Sequence, residues 1–197
     1  MPKMRNNKNK EFNMVIAGTG GQGLITLLRI VAEAALEEGQ DLKTSELHGL
    51  SQRGGSVGVH IRFGRKIYSP LISSGKADLV LSLELQEALR ALDYSHTKTA
   101  FLINNFLIPI PFQKPVLEKE ILKTLQKFSQ NIVLIPASQI CQEKLEAKVL
   151  AGVYLLSLAS FKNLIPLKPD SIKFALKKIV PEKYLEMNLK AFELASK

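Results

Sequence analysis

The order of apolar and polar positions divides the chain into short strands and longer helices. Residues 13–17 are a compact apolar run that stops at glycine, the pattern of a buried strand. Leu24, Leu27, Leu28, Val31 and Ala35 then recur at offsets 0, 3, 4, 7 and 11, one face of an amphipathic helix, with Thr26, Arg29, Glu33 and Glu37 off that stripe. Gly39 can end the helix in the left-handed conformation, and residues 41–45 read as a second strand, so the chain opens as a βαβ unit. Residues 46–55 are polar and glycine-rich and read as a loop. Val57, Val59, Ile61 and Phe63 alternate with Gly58, His60 and Arg62, a strand with one buried face. Gly64-Arg65 would turn that strand so that residues 66–69 pair back as a hairpin, stopped by Pro70.

Further strands are predicted at residues 79–83, 100–103 and 132–135. Leu85, Ala88, Leu89 and Leu92 have helical spacing, and residues 117–128 read as a helix. A long helix is predicted over residues 142–160, apolar on most sides after Val149 and therefore buried. Pro166 and Pro169 break the chain, after which Asp170 would cap a short helix with Ile172, Leu176 and Ile179 inward. Pro181 suits the first turn of a last helix bearing Leu185, Leu189, Phe192 and a Glu186–Lys190 pair. The fold class is α/β: a Rossmann-like open sheet with an inserted β-hairpin and C-terminal helices, residues 13–197 forming a single domain behind a basic flexible tail, 1–12.

Composition narrows the function. Apolar residues are 46% and charged residues 23% of the 197, a globular mix that excludes a disordered, collagen-like or disulfide-stapled chain. The net charge of +9 suggests nucleic acid, but residues 1–11 carry net +3 and residues 162–197 net +4, leaving +2 for the whole body. A nucleic-acid binder wants a basic stripe on a folded face, and the tyrosines and phenylalanines show no stacking-platform spacing. Cys141 is the single cysteine and His48, His60 and His96 the histidines, too few for an iron–sulfur cluster or zinc finger held by this chain alone. The basic start followed by an apolar run reads poorly as a signal peptide, because glycines occupy positions 18, 20, 21 and 23 and no small-residue cleavage pattern follows. No uncharged run is both long and unbroken enough to span a bilayer. These features point to a soluble, cytoplasmic protein with its thiol reduced. Cys141 reads as a core or helix-start residue, His96 as exposed, and His60 as facing solvent or a partner rather than a metal.

Two glycine-rich segments carry the candidate chemistry. Gly18, Thr19, Gly20, Gly21, Gln22 and Gly23 match GxGxxG between a strand and a helix. Glycine permits the tight turn, and the helix N-terminus offers N–H groups to an anion; the bland reading is that the glycines only let helix pack on strand. Asp41 or Glu46 could serve as the ribose-binding acid of an NAD-type dehydrogenase, although the glycine-rich loop after Glu46 replaces the expected βα continuation. The second segment holds Glu46, His48, Ser51, Gln52, Arg53, Gly54 and Gly55. Arg53 beside two glycines could seat an anion, with Glu46 holding Arg53 or His48; the bland reading is a loop packed on the sheet or on a partner chain.

The residues Ala17–Gly23, Glu46 to Val57, His60-Ile61-Arg62-Phe63-Gly64, Ser69-Pro70-Leu71-Ile72, Gly75-Lys76-Ala77-Asp78 and Glu84 to Arg90 carry a resemblance. Their order and spacing over residues 14–104 resemble the gamma-type domain of 2-oxoacid:ferredoxin oxidoreductases, and within it the beta subunits of the indolepyruvate branch; the helical part, 138–197, adds a weaker match at Asn188 and Ala191-Phe192. The resemblance implies oxidative decarboxylation of an aryl-type 2-oxoacid to its acyl-coenzyme A with reduction of ferredoxin. It implies no cofactor held by this chain alone, thiamine diphosphate and iron–sulfur clusters in a large partner subunit, and coenzyme A as co-substrate. The thirteen loop residues named above become cofactor-binding candidates, none of them a catalyst. A stand-alone NAD-type dehydrogenase would instead bind nucleotide as an isolated chain, and a basic nucleic-acid module would bind DNA or RNA with strong salt dependence.

Overall fold

The computed structural model describes residues 11–49, 54–109 and 116–197. Residues 1–10 of the basic tail lie outside that range, and Phe12, expected at the end of the tail, is instead the buried first residue of the first strand, opposite Phe63. A six-stranded sheet has the order β2-β3-β1-β4-β5-β6. Its strands are β1 (Phe12–Thr19), β2 (Asp41–His48), β3 (Ser56–Gly64), β4 (Leu79–Ser82), β5 (Ala100–Asn104) and β6 (Ile132–Ile135). β1, β4, β5 and β6 are parallel, and β3 runs antiparallel to both its neighbours. The helices are α1 (Leu24–Glu37), α2 (Leu85–Arg90), α3 (Glu118–Leu125), α4 (Ala137–Leu145), α5 (Ala151–Phe161), α6 (Pro169–Ile179) and α7 (Glu182–Leu194).

The parallel strands are continuous apolar runs because both faces are covered. Met14 and Ile16 of β1 join a core with α1 and α4 to α7, while Val15 and Ala17 join a second core with α2 and α3. The α/β sheet and its C-terminal helices therefore agree with the sequence pattern. Gly39 follows α1 with φ 71°, the left-handed stop predicted there. Glu186 and Lys190 pair at 2.6 Å. Cys141 is fully buried, which pushes its thiol up to about 11.

Several local expectations are corrected. The opening βαβ unit is split: β2 runs parallel to β1, but β3 lies between them. The hairpin is formed by β2 and β3, so residues 46–48 are strand rather than loop, and residues 66–69 do not pair. Both edges of β3 are already taken, leaving no ladder for residues 66–69. Instead, this segment is strapped across the second face: Ile67 N–H donates to Asp41 Oδ2 at 2.8 Å, and Arg62 Nη1 donates to the carbonyls of Ser69 and Leu71. The long helix over 142–160 breaks at Glu146, whose φ is 54°. α4 buries only one stripe, whereas α5 is buried on every side along Ala151 to Ser160. One straight helix cannot be both. Asp170 lies inside the first turn of α6 after Lys168 at the N-cap, where it complements the helix dipole rather than capping. Pro181 is the N-cap of α7, one residue before the helix.

Candidate functional site

The two helix layers diverge at β1 and β4, since α1 leaves β1 on one face and α2 leaves β4 on the other. The strand ends part there, and this is where open α/β sheets form a ligand crevice. The first glycine loop lies at that point. Thr19 N–H donates to Gln22 Oε1 at 2.8 Å, and Gln22 N–H returns to the Thr19 carbonyl at 3.2 Å, closing a tight turn. Gly23, at φ 80°, is the N-cap of α1 and offers no side-chain cap, so the first-turn N–H groups stay open.

The second loop is bonded to the first. Gly20 N–H donates to the Gly55 carbonyl at 2.9 Å, and Gly54 N–H donates to the Gly20 carbonyl at 3.4 Å. The structure thus brings together Gly18 through Gly23 with Gly54 and Gly55. Glu46 and His48 sit in edge strand β2, Glu46 being exposed, and Ser51, Gln52 and Arg53 lie outside the described residues. The glycines are not equivalent donors. Gly18 is a strand residue, and the N–H of Gly20 is consumed by Gly55. Among the described residues, Gly21, Gly23 and the first turn of α1 are the donors left at this loop, and Gly21 lines the crevice beside it.

A crevice of about 180 Å³ opens beside Gly21 and Gln22 and is closed by Leu83, Asn104, Ser138 and Lys148. The last three were not among the sequence candidates. Asn104 ends β5 and is buried; its Oδ1 accepts the Ser138 N–H at 3.1 Å, and its Nδ2 donates to Ser138 Oγ and to the Leu83 carbonyl. It thereby caps α4, whose own N-cap, Pro136, cannot. A polar residue closing an otherwise apolar strand is the signal that could have found it. Lys148 had no such signal. Glu84, just beyond the crevice residue Leu83, is buried as the N-cap of α2. Its carboxylate accepts the N–H groups of Glu87 at 2.9 Å and Ile108 at 3.1 Å, and burial pushes its pKa up.

The histidines differ from expectation. His96 is half-buried, with Nδ1 accepting the Lys98 N–H at 3.1 Å. His60 faces neither solvent nor a metal: it is 1% exposed, its Nδ1 accepts the Ile72 N–H at 3.2 Å, and its ring meets Tyr94 edge-on at 4.5 Å. The second face of β3 is covered by the strap 65–78, which alternation alone could not show. Burial holds the His60 pKa below its ordinary 6.5. The unfolded chain then takes up a proton at a higher pH than the folded one, so the stability from a neutral His60 is full above about 6.5 and lost as pH falls toward the folded value. The urea midpoint is expected to fall more between about pH 7.5 and 5.5 in the wild type than in His60→Gln; equal falls would contradict this assignment.

Among the described residues no group of three His, Cys, Asp or Glu could hold a metal ion. Buried Cys141, with its raised thiol pKa, is unsuited as a cluster ligand. Asp41 begins β2 at the end of the sheet opposite the glycine loop and holds the strap instead, so it cannot meet a ribose bound there.

An open α/β sheet with two glycine loops bonded to each other at its switch point defines a ligand-binding α/β architecture. Residues 13–197 match the pyruvate ferredoxin/flavodoxin oxidoreductase family, to which the chain belongs. It is 34% identical over 196 residues to the indolepyruvate oxidoreductase subunit IorB of Thermococcus kodakarensis, covering 95% of this chain and 96% of the relative. Its fold matches the crystal structure of the keto/oxoacid ferredoxin oxidoreductase gamma subunit from Geobacter sulfurreducens, with a TM-score of 0.69 and 20% identity over 94% of this chain and 96% of that one. It also matches 30% of the chain of the 2-oxoglutarate:ferredoxin oxidoreductase of Magnetococcus marinus, solved with 2-oxoglutarate, coenzyme A and succinyl-CoA, at a TM-score of 0.71 and 20% identity over 95% of this chain. The chain is accordingly a subunit of a 2-oxoacid ferredoxin oxidoreductase. The stand-alone dehydrogenase and nucleic-acid readings are set aside by this membership.

Proposed function

We propose that this chain serves an aryl-pyruvate, indolepyruvate-type complex and seats the phosphates of coenzyme A in the crevice beside the first glycine loop, which the second loop braces. The observation that carries this reading is the pair of backbone bonds joining Gly20 to Gly54 and Gly55 beside the open N-terminus of α1. Gly21 and Gly23 supply N–H donors; Gly18, Thr19, Gly20, Gln22, Gly54 and Gly55 hold the loops in register. Arg53 adds charge, with Glu46, His48, Ser51 and Gln52 as hydrogen-bonding groups around it. The N–H groups of the loop and of the first turn of α1, with Lys148 at the crevice, suit an anion, and in this reading the chain binds and orients. The large partner subunit would hold thiamine diphosphate and the iron–sulfur clusters, which supply the decarboxylation and electron transfer. The net change converts the 2-oxoacid and the coenzyme A thiol to carbon dioxide and a thioester, with an electron pair passed to ferredoxin and a proton released.

Residues 13–197 act as one domain in this reading, and the complex works in the cytoplasm, where Cys141 stays reduced. Among the described residues no helix is long and apolar enough to cross a membrane. In the reconstituted complex, Arg53→Ala is expected to raise the KM for coenzyme A about tenfold, the loss of a charge-assisted contact, with kcat nearly kept. An unchanged constant with intact assembly would transfer the loops to the wall of the partner's thiamine site.

A further inference from the structure

α2 covers the second face of the sheet with Leu85 and Ala88, which are buried, as an apolar cap should be. Between them along the helix, Glu87 is buried too, its side chain 7% exposed. A buried carboxylate is costly unless it is paired, so covering the sheet does not explain this residue. Its partners do. One oxygen accepts the hydroxyl of Ser56, and the other accepts Arg90 Nε at 3.0 Å. Ser56 is the first residue of β3, directly after Gly54-Gly55, and lies opposite Thr19 at the end of β1. It therefore stands where both glycine loops leave the sheet. Ala17 and Gly58, neighbours in the β1–β3 ladder, are small enough to let a side chain from α2 cross to Ser56. The same helix turn is tied by Glu84 to Ile108.

We propose that Glu87 is a positioning residue that sets the double-glycine loop against the GxGxxG loop from beneath, through the Ser56 hydroxyl, and so preforms the crevice. It touches no ligand. Its functional consequence rests on the reading that this crevice seats coenzyme A.

The test uses the full chain in its reconstituted complex, with amide hydrogen exchange as the structural measurement and steady-state kinetics as the functional one. Glu87→Ala is expected to speed exchange at Gly20 and Gly54 about tenfold or more, while the amides of the β4–β5 ladder keep wild-type protection. Glu87→Gln keeps an acceptor for the Ser56 hydroxyl and is expected to stay within about threefold of wild type at both glycines. Ser56→Ala removes the donor at the other end without emptying the space under α2; it should reproduce Glu87→Ala, and it decides the matter if that variant does not assemble. In Glu87→Ala and Ser56→Ala the KM for coenzyme A should rise about tenfold with kcat within about twofold, and Glu87→Gln should restore it. Unchanged exchange at Gly20 and Gly54 in Ser56→Ala and Glu87→Ala overturns the proposal, whatever the kinetics. Faster exchange with an unmoved KM supports the positioning role and overturns the coenzyme A reading instead.

Discussion

Phe101→Ala is expected to lower the unfolding free energy by about 3–5 kcal/mol, the usual cost of deleting a buried aromatic ring. Phe101 is fully buried in β5, paired with Val80 of β4 on one side and Ile132 of β6 on the other. Its N–H also donates to the Asn131 carbonyl at 2.8 Å. Three parallel strands therefore hold the backbone around the ring, and the cavity left by alanine cannot close by strand movement. The core under α2 and α3 is also the smaller of the two, so Phe101 is a large share of it. The check is a urea unfolding curve with the midpoint shifted and the slope unchanged. Phe128→Ala serves as control: that ring is 43% exposed and lies outside both cores, and its loss should cost under about 1 kcal/mol.

Gly18→Val is expected to cost about 3 kcal/mol, the upper range for overpacking a filled site. A Cβ at Gly18 would stand 2.6 Å from Gln22 Oε1, 3.2 Å from Leu24 Cδ1 and 3.3 Å from Leu83 Cβ. The Gln22 amide can swing away, but doing so releases the Thr19 N–H that it accepts. Leu83 and Leu24 belong to the core and cannot retreat as easily. Gly21→Ala is the informative comparison. There an added Cβ meets nothing within 4 Å, but φ is 100°, so the cost is backbone strain of about 1–2 kcal/mol. Thermal unfolding should rank the two in that order, with the Gly18 variant lower by about 10 °C than wild type, given about 2–4 °C per kcal/mol for a chain of this size. If Gly21→Ala proved the more damaging, the loop would be governed by backbone conformation rather than by close packing at Gly18.

These contrasts show which features were readable along the chain. The helix stripe from Leu24 to Ala35, the end at Gly39 and the strand at residues 132–135 depend on neighbours a few residues away, and the chain forms them as read. The glycine loop was readable for the same reason, since a turn that needs positive φ at Gly21 and Gly23 advertises itself in residue type. The partner of β3 was not readable. Residues 66–69 and 41–48 both follow a plausible hairpin logic, and the choice went to the stretch that fills a complete eight-residue ladder and places Leu42 opposite Phe63. The break at Glu146 likewise depended on how deeply α5 was to be buried, which no local window contains.

The candidate site divides along the same line. The sequence by itself determined the α/β class, the two glycine-rich segments, the lack of a cluster-binding donor set in a chain with one cysteine, and the family to which the motifs pointed. Those are properties of residue type and short spacing. Only the tertiary structure decided that Gly20 bonds to Gly54 and Gly55, that Asn104 and Lys148 close the crevice, that His60 is sealed under a strap, and that Glu87 reaches Ser56. Each of these is a contact between residues well separated along the chain. A buried polar group is informative only once its partner is known, because its worth is set by what pairs with it inside a low-dielectric core rather than by its own identity.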